Sequence, residues 1–87
     1  MKAVLMTDVG GPEVLKLVEA PKPTIQTDTQ MLINIKAAGL NPVDYKQRGR
    51  GTWYPSNPPQ ILGLDAAGII EETGSGVTGF KPGDEVY

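Results

Sequence analysis

Residues 74–84 read GSGVTGFKPGD, and this stretch decides the fold. Its first six letters fit the G-x-G-x-x-G fingerprint of dinucleotide-binding loops. Such a loop binds a pyrophosphate only where a helix begins directly after the glycines, because the helix N-terminus supplies free N–H groups and a partial positive charge. Here Pro82 and Gly83 prevent a helix of useful length, and Glu71 and Glu72 before the loop would repel a pyrophosphate. The sequence therefore predicts a strand-to-strand turn at the glycines and a second turn at Pro82 and Gly83.

Length and turn residues favour one small domain built from short strands. A complete dinucleotide-binding domain repeats a strand, turn, helix and strand unit, and 87 residues leave no room for it beside a second domain. The chain contains 11 glycines and 8 prolines. This density of turn-forming residues favours strands joined by turns over long helices, so we expect a mostly β fold.

Hydrophobic alternation and turn residues predict five strands. They are expected at residues 2–7, 14–19, 31–38, 61–73 and 84–87, and the first two should form a hairpin. In the third strand, a period of two places the side chains of Met31, Ile33, Ile35 and Ala37 on one face.

The motif NPVD is a helix-start signal. Asn41 suits the N-cap, Pro42 suits the first helical position, and Asp44 falls three residues after the cap. Gly49 can end the helix. We therefore expect one short helix from Asn41 to Gly49.

Composition excludes several classes of function. The net charge is −2 with no clustered sign, so bulk charge attracts neither nucleic acid nor an anionic membrane. No apolar stretch approaches the roughly 20 residues of a membrane span, and the N-terminus lacks the apolar region of a signal peptide, so we expect a cytoplasmic protein. Cysteine and histidine are both absent. This excludes disulfides and any zinc site built from thiolate or imidazole ligands, and we predict no metal.

Three collinear stretches carry a family resemblance. They are AAGLNPVDYKQRG at residues 37–49, PQILGLDAAGIIEETGSGV at 59–77 and FKPGDEVY at 80–87. Together they resemble the N-terminal part of a medium-chain dehydrogenase/reductase, in the quinone oxidoreductase branch. The resemblance implies a partial GroES-like β-barrel over residues 1–87, belonging to a catalytic domain. It also implies that the Rossmann domain, with its cofactor loop, lies outside this chain.

The same resemblance implies a reaction without zinc. Zinc-dependent members of the family have Cys where this chain has Asn41, and a Gly-His-Glu triplet where it has Gly63, Leu64 and Asp65. Leucine cannot bind a metal, and an Asn with a lone Asp makes a poor zinc site. The parent enzyme is therefore expected to reduce a small-molecule quinone or enone with NADPH. The 87 residues alone are expected neither to bind NADPH nor to be active.

Three residues are candidates for the site that the resemblance implies, and each has a purely structural alternative. Asn41 is assigned to catalysis and to the cofactor, through the nicotinamide ribose or a substrate oxygen; the alternative is a simple N-cap. Asp44 is assigned to the cofactor site, where it would order Asn41 or a water; the alternative is a capping carboxylate. Tyr54 is assigned to catalysis as a donor to a quinone oxygen; the alternative is an aromatic packed in its loop.

One question about the isolated chain stays open. It is either the catalytic-domain portion of the reductase or a stand-alone GroES-like β module that acts in binding or assembly. We expect it to self-associate, whereas a monomer at every concentration would favour the stand-alone module. The strand at residues 84–87 presents an unpaired edge, and Ile33, Ile35 and Ile69 on the core-facing side are left partly uncovered.

Overall fold

The computed structural model describes residues 1–51 and 59–87, which belong to two compact units. One unit comprises Met1–Pro21 and Leu40–Leu64, and the other comprises Lys22–Gly39 and Asp65–Tyr87. The strands are β1 (Lys2–Met6), β2 (Leu15–Glu19), β3 (Met31–Gly39), β4 (Asp65–Thr73) and β5 (Glu85–Val86), and the helix α1 spans Pro42–Arg50. The described residues thus confirm a mostly β fold with one short helix.

In the first unit, β1 and β2 form the expected antiparallel hairpin. Ala3 lies opposite Val18, and Met6 lies opposite Leu15. A single 3-10 turn over Pro12–Val14 precedes β2. Because Pro12 fixes its own φ at a helical value, this turn delays the start of β2 by one residue from the expected position.

The helix α1 runs one residue further than the sequence predicts. It passes through Gly49 and ends at Arg50, and Gly51 then takes a φ of 95°. The Gly51 N–H donates to the carbonyl oxygen of Gln47 at 2.9 Å. The expectation that Gly49 ends the helix was wrong because the positive φ that ends it occurs at Gly51 and not at Gly49.

The stretch before β4 is not a strand. Met6 and Gln60 form an isolated bridge with N···O distances of 2.8 and 3.0 Å, and Met6 is fully buried. The predicted strand over residues 61–73 was therefore too long at its start, since β4 begins only at Asp65. Gly63, between Gln60 and Asp65, has a φ of 125°. A positive φ of this size is incompatible with extended strand geometry.

In the second unit, β3, β4 and β5 form an antiparallel sheet in that order. The predicted alternation of β3 holds only in part. Register shifts occur between Leu32 and Ile33, where β4 has an extra residue, and between Ile35 and Ala37, where β3 has one. The extra residue of β3 interrupts the predicted period of two before Ala37 and not before Ile35. Ile33 is half-buried and Ile35 is 50% exposed, as expected of apolar residues that are left partly uncovered. Ile70 of β4 is the fully buried apolar residue of this unit's described part.

Candidate functional site

The glycine-rich segment GSGVTG is a turn in which three N–H groups are already hydrogen-bonded to carbonyl oxygens. Gly74 N–H donates to the carbonyl oxygen of Gln30 and Gly76 N–H to that of Asp28, both at 2.8 Å. Val77 N–H donates to the carbonyl oxygen of Gly74 at 3.1 Å. A phosphate-binding loop needs such N–H groups free to point at the anion. This segment instead fixes the turn over residues 28–30.

The glycines of this turn serve a close approach of protein backbone. A Cβ on Gly74 would collide with the carbonyl group of Asp28, and a Cβ on Gly76 would lie 3.1 Å from Asp28 Oδ2. Asp28 thus occupies the space next to both glycines, and its carboxylate would repel an anion there. A turn and then β5 follow the segment, so the predicted strand-to-strand turn is confirmed.

The start of α1 is held by a reciprocal pair of hydrogen bonds. Asn41 has extended backbone angles, and its N–H donates to Asp44 Oδ2 at 2.9 Å. The Asp44 N–H donates back to the carbonyl oxygen of Asn41, also at 2.9 Å. Both residues are half-buried. Asp44 therefore acts as a capping carboxylate that orients the backbone of Asn41, while contact of either residue with a cofactor stays a prediction.

The C-terminal end of α1 is anchored by Arg48 and Gly10, two residues that the sequence pattern did not indicate. Arg48 Nε donates to the carbonyl oxygen of Gly10 at 3.1 Å, and Gly10 N–H donates to the carbonyl oxygen of Arg48 at 2.8 Å. Asp44, Gln47 and Arg48 stand at positions i, i+3 and i+4, which share one helix face. That spacing was the available signal, but a polar face is ordinarily solvated. Here Gln47 is only 5% exposed.

Tyr54 lies outside the described residues, so its catalytic assignment stays a prediction. Asp65, for which the resemblance implies a zinc-ligand position in other members, is exposed at the start of β4, opposite Gly39. Nowhere in residues 1–51 and 59–87 do three Asp, Glu, His or Cys side chains gather where they could share a metal ion. Among the same residues, no helix has the length and hydropathy of a membrane span.

Two surface ion pairs of the second unit shift the pKa of one partner each. Lys81 Nζ donates to Asp84 Oδ1 and Lys81 N–H to Asp84 Oδ2, each at 3.0 Å. The side-chain bond first and the backbone bond second hold the pKa of Asp84 below its ordinary value of 3.8. Lys22 Nζ lies 2.7 Å from Glu71 Oε1. This hydrogen bond, together with the charge of Glu71, raises the pKa of Lys22 above 10.5.

A shallow groove of about 500 Å³ lies along β4 and β5 in the second unit. Its apolar part is formed by Ala67, Ile69 and Val86, and Lys36 and Glu85 line its polar part. The groove follows the edge of the sheet at β5, which pairs only with β4 among the described strands.

Comparison with known proteins relates the whole chain to reductases. Residues 27–87 match the family model of the alcohol dehydrogenase GroES-like domain. The chain is 45% identical over 89 aligned residues to a quinone oxidoreductase of Lama guanicoe. It is 48% identical, also over 89 aligned residues, to 2-methylene-furan-3-one reductase of Solanum lycopersicum. Each alignment covers 100% of this chain.

A solved structure gives the same relation in three dimensions. The quinone oxidoreductase of Escherichia coli, in complex with NADPH, superimposes on 98% of this chain with a TM-score of 0.87 and 36% identity. The chain spans only about a quarter of the length of these relatives: 26% and 23% of the two sequences and 26% of the solved chain.

Proposed function

The chain belongs to the alcohol dehydrogenase GroES-like domain family, in its quinone oxidoreductase branch, and from this premise we propose that residues 1–87 form part of the catalytic domain of an NADPH-dependent, zinc-independent reductase of quinones or enones. The observation that carries the proposal is identity of 45% and 48%, over the whole chain, to a quinone oxidoreductase and to a reductase named for a methylene-furanone. Both names describe conjugated carbonyl acceptors.

The donor set of this chain does not fit zinc. Thiolate and imidazole are the ligands that structural and catalytic zinc sites mostly use, and the sequence contains neither. Asn41 and Leu64 stand at two of the positions where zinc-dependent members carry ligands. The reaction is therefore expected to proceed without a metal ion, and a chelator should leave it unchanged.

Among the groups of NADPH, only the nicotinamide ribose has a candidate binding residue in the described part of the chain. The turn at Gly74 and Gly76 has its N–H groups bonded and its space filled by Asp28, so the phosphates are expected to bind outside the described residues. Asn41 carries a carboxamide that can both donate to and accept from a ribose hydroxyl. When bound, NADPH supplies a hydride to the conjugated acceptor.

The role left to this chain is to bind and orient the acceptor. Without a metal to polarise the carbonyl, a side-chain donor must stabilise the charge that develops on its oxygen. Asn41 and Tyr54 are our candidates for this donor. Asp44 supports the first of them, because it fixes the Asn41 backbone by accepting its N–H at 2.9 Å.

The test measures NADPH consumption by the full-length parent protein, with 1,4-benzoquinone and with a simple enone, before and after exhaustive chelation. Chelation should have no effect. Asn41→Ala and Tyr54→Phe should each lower kcat on the order of 100-fold if the residue is the oxyanion donor, with smaller losses of stability. The 87 residues alone should neither oxidise NADPH nor bind it in a calorimetric titration.

Three results would count against the proposal. Inactivity with both acceptors would remove the reductase function, and loss of activity on chelation would remove its zinc independence. Wild-type kinetics in both variants would leave the reaction in place and remove the site assignment.

A further inference from the structure

The inward face of α1 is polar, so the placement of this helix depends on hydrogen bonds. On this fully described helix the buried or half-buried residues are Val43, Asp44, Gln47 and Arg48, and Val43 alone is apolar. Burial of apolar surface is non-directional, and a single valine does little to favour one helix orientation. Hydrogen bonds are directional. Those made by this face therefore fix the axis of α1.

At the C-terminal end, both backbone polar groups of Gly10 are bonded to Arg48. The Arg48 carbonyl is among the last four of the helix, which have no partner within it, and Gly10 N–H satisfies it at 2.8 Å. In return, Arg48 Nε donates to the Gly10 carbonyl oxygen at 3.1 Å. Because these two hydrogen bonds join the same two residues in opposite directions, they resist rotation of the helix about either bond. We call this pair of bonds the Arg48–Gly10 clamp.

We propose that Arg48 is a positioning residue of the reductase: through the Arg48–Gly10 clamp it sets the direction of α1 and thereby places Asn41 at the opposite end of the helix. The inference rests on the proposed function, in which Asn41 contacts the nicotinamide ribose or a substrate oxygen. The nine-residue helix is about 13 Å long. A tilt about the clamp displaces Asn41, the N-cap, more than any residue of α1, and a misplacement of about 1 Å can cost roughly 100-fold in rate.

The matched pair of variants is Arg48→Met and Lys46→Met. Methionine is long, flexible and apolar, so it retains the packing of the arginine stem without its N–H donors. Arg48→Met breaks the Nε bond of the clamp and leaves the bond from Gly10 N–H to the Arg48 carbonyl. Lys46 is exposed on the same helix and forms none of the described ion pairs, so its variant removes an equal charge and leaves both bonds of the clamp. Each change is made in the parent protein, with and without Asn41→Ala, and kcat and KM are measured with NADPH and 1,4-benzoquinone.

The kinetic result expected of a positioning residue is non-additivity. Arg48→Met should lower kcat about tenfold, well within the cost of a misplaced group, and Lys46→Met should leave it unchanged. In the Asn41→Ala background the effect of Arg48→Met should fall below about twofold, because residues that act through one another are coupled. An undiminished effect in that background, or none in the wild type, would overturn the inference.

The backbone amide signal of Asn41 in NMR spectra gives a readout that does not depend on activity. The signal should shift in Arg48→Met and stay in place in Lys46→Met. An unmoved signal in both variants means that the clamp does not position Asn41, whatever the kinetics. If the parent protein oxidises no NADPH, the proposed function fails on that ground, and the amide signal alone supports or overturns the placement of Asn41 by Arg48.

Discussion

Gly74 lacks a side chain because the carbonyl group of Asp28 occupies the space where a Cβ would stand. Its φ is not positive, so the requirement is for room and not for a left-handed backbone. Gly74→Ala should lower the free energy of unfolding by about 1–3 kcal/mol, the usual cost of overpacking. In the matched change Gly49→Ala, the new methyl group meets nothing within 4 Å inside α1, and stability should rise by about 0.5–1 kcal/mol. Urea unfolding measures the change in unfolding free energy of both variants. Equal changes would mean that the Asp28 contact has no influence on stability.

Asp84 makes the stability of the turn before β5 depend on pH. Its pKa is lowered by the side-chain and backbone hydrogen bonds from Lys81. A carboxyl with a depressed folded-state pKa stabilises the fold above its unfolded value of 3.8, and this contribution is lost as pH falls through the folded pKa. Asp84→Asn should therefore flatten the loss of stability on acidification. Urea midpoints measured from neutral to acid pH test this.

Lys81→Met separates the two causes of that pKa shift. It removes the side-chain hydrogen bond at 3.0 Å and keeps the backbone one. For Lys81→Met, the slope of the unfolding free energy against pH on the acid side should lie between the slopes of the wild type and of Asp84→Asn. Three identical slopes would show that the pair has no influence on folding.

At the scale of an element, the start of α1 tests whether Asp44 acts as a cap. Asp44→Ala removes the acceptor of the Asn41 N–H and should cost about 1 kcal/mol of unfolding free energy, as the loss of a helix cap usually does. Asp44→Asn should restore most of it, because an amide oxygen also accepts this hydrogen bond. Thermal and urea unfolding give the measurement. If both variants keep wild-type stability but lose affinity for NADPH, Asp44 belongs to the cofactor and not to the helix.

The limits of the elements show which features local sequence determines. The hairpin and the start of α1 were predictable, since alternation, Asn41 and Pro42 act over a few neighbouring residues. The end of α1 was not, because Gly49 and Gly51 both permit termination and only one adopts a positive φ. The interruption of the alternation in β3 before Ala37 was not predictable either. It arises in the pairing with β4, where the residue opposite Ala37 lies 30 positions further along the chain.

The same division holds for the candidate site. The local capping signal NPVD placed Asn41 and Asp44 correctly at the helix start, since it acts over a few neighbouring residues. The bond between Arg48 and Gly10 joins residues 38 positions apart, and no periodic pattern in one sequence encodes it. What the resemblance supplies is the chemistry of the family, and what the structure adds is the polar anchoring of the helix that carries Asn41.

At the scale of the whole molecule, little apolar surface is buried. Among the described residues, Met6 and Ile70 are the apolar side chains that are fully buried, while Leu17 is 70% and Leu40 is 93% exposed. Small domains bury a modest fraction of their surface, and large exposed apolar patches mark sites of association. Within the second unit, the groove along β5 presents Ile69 and Val86.

The 87 residues studied on their own should therefore self-associate through the edge of β5. That edge has no further strand among the described residues, and unpaired N–H and C=O groups recruit a second strand. Burial of about 400 Å² of apolar surface contributes on the order of 10 kcal/mol, and the costs of association are of similar size, so a dimer of modest affinity is expected. Light scattering across a dilution series should show a mass rising above 9.3 kDa with concentration.

Val86→Lys places a charge on the edge and should weaken the dimer, whereas Val9→Lys adds the same charge outside both sheets and should not. A monomer at every concentration would contradict this expectation and would favour a chain whose strands satisfy their own edges.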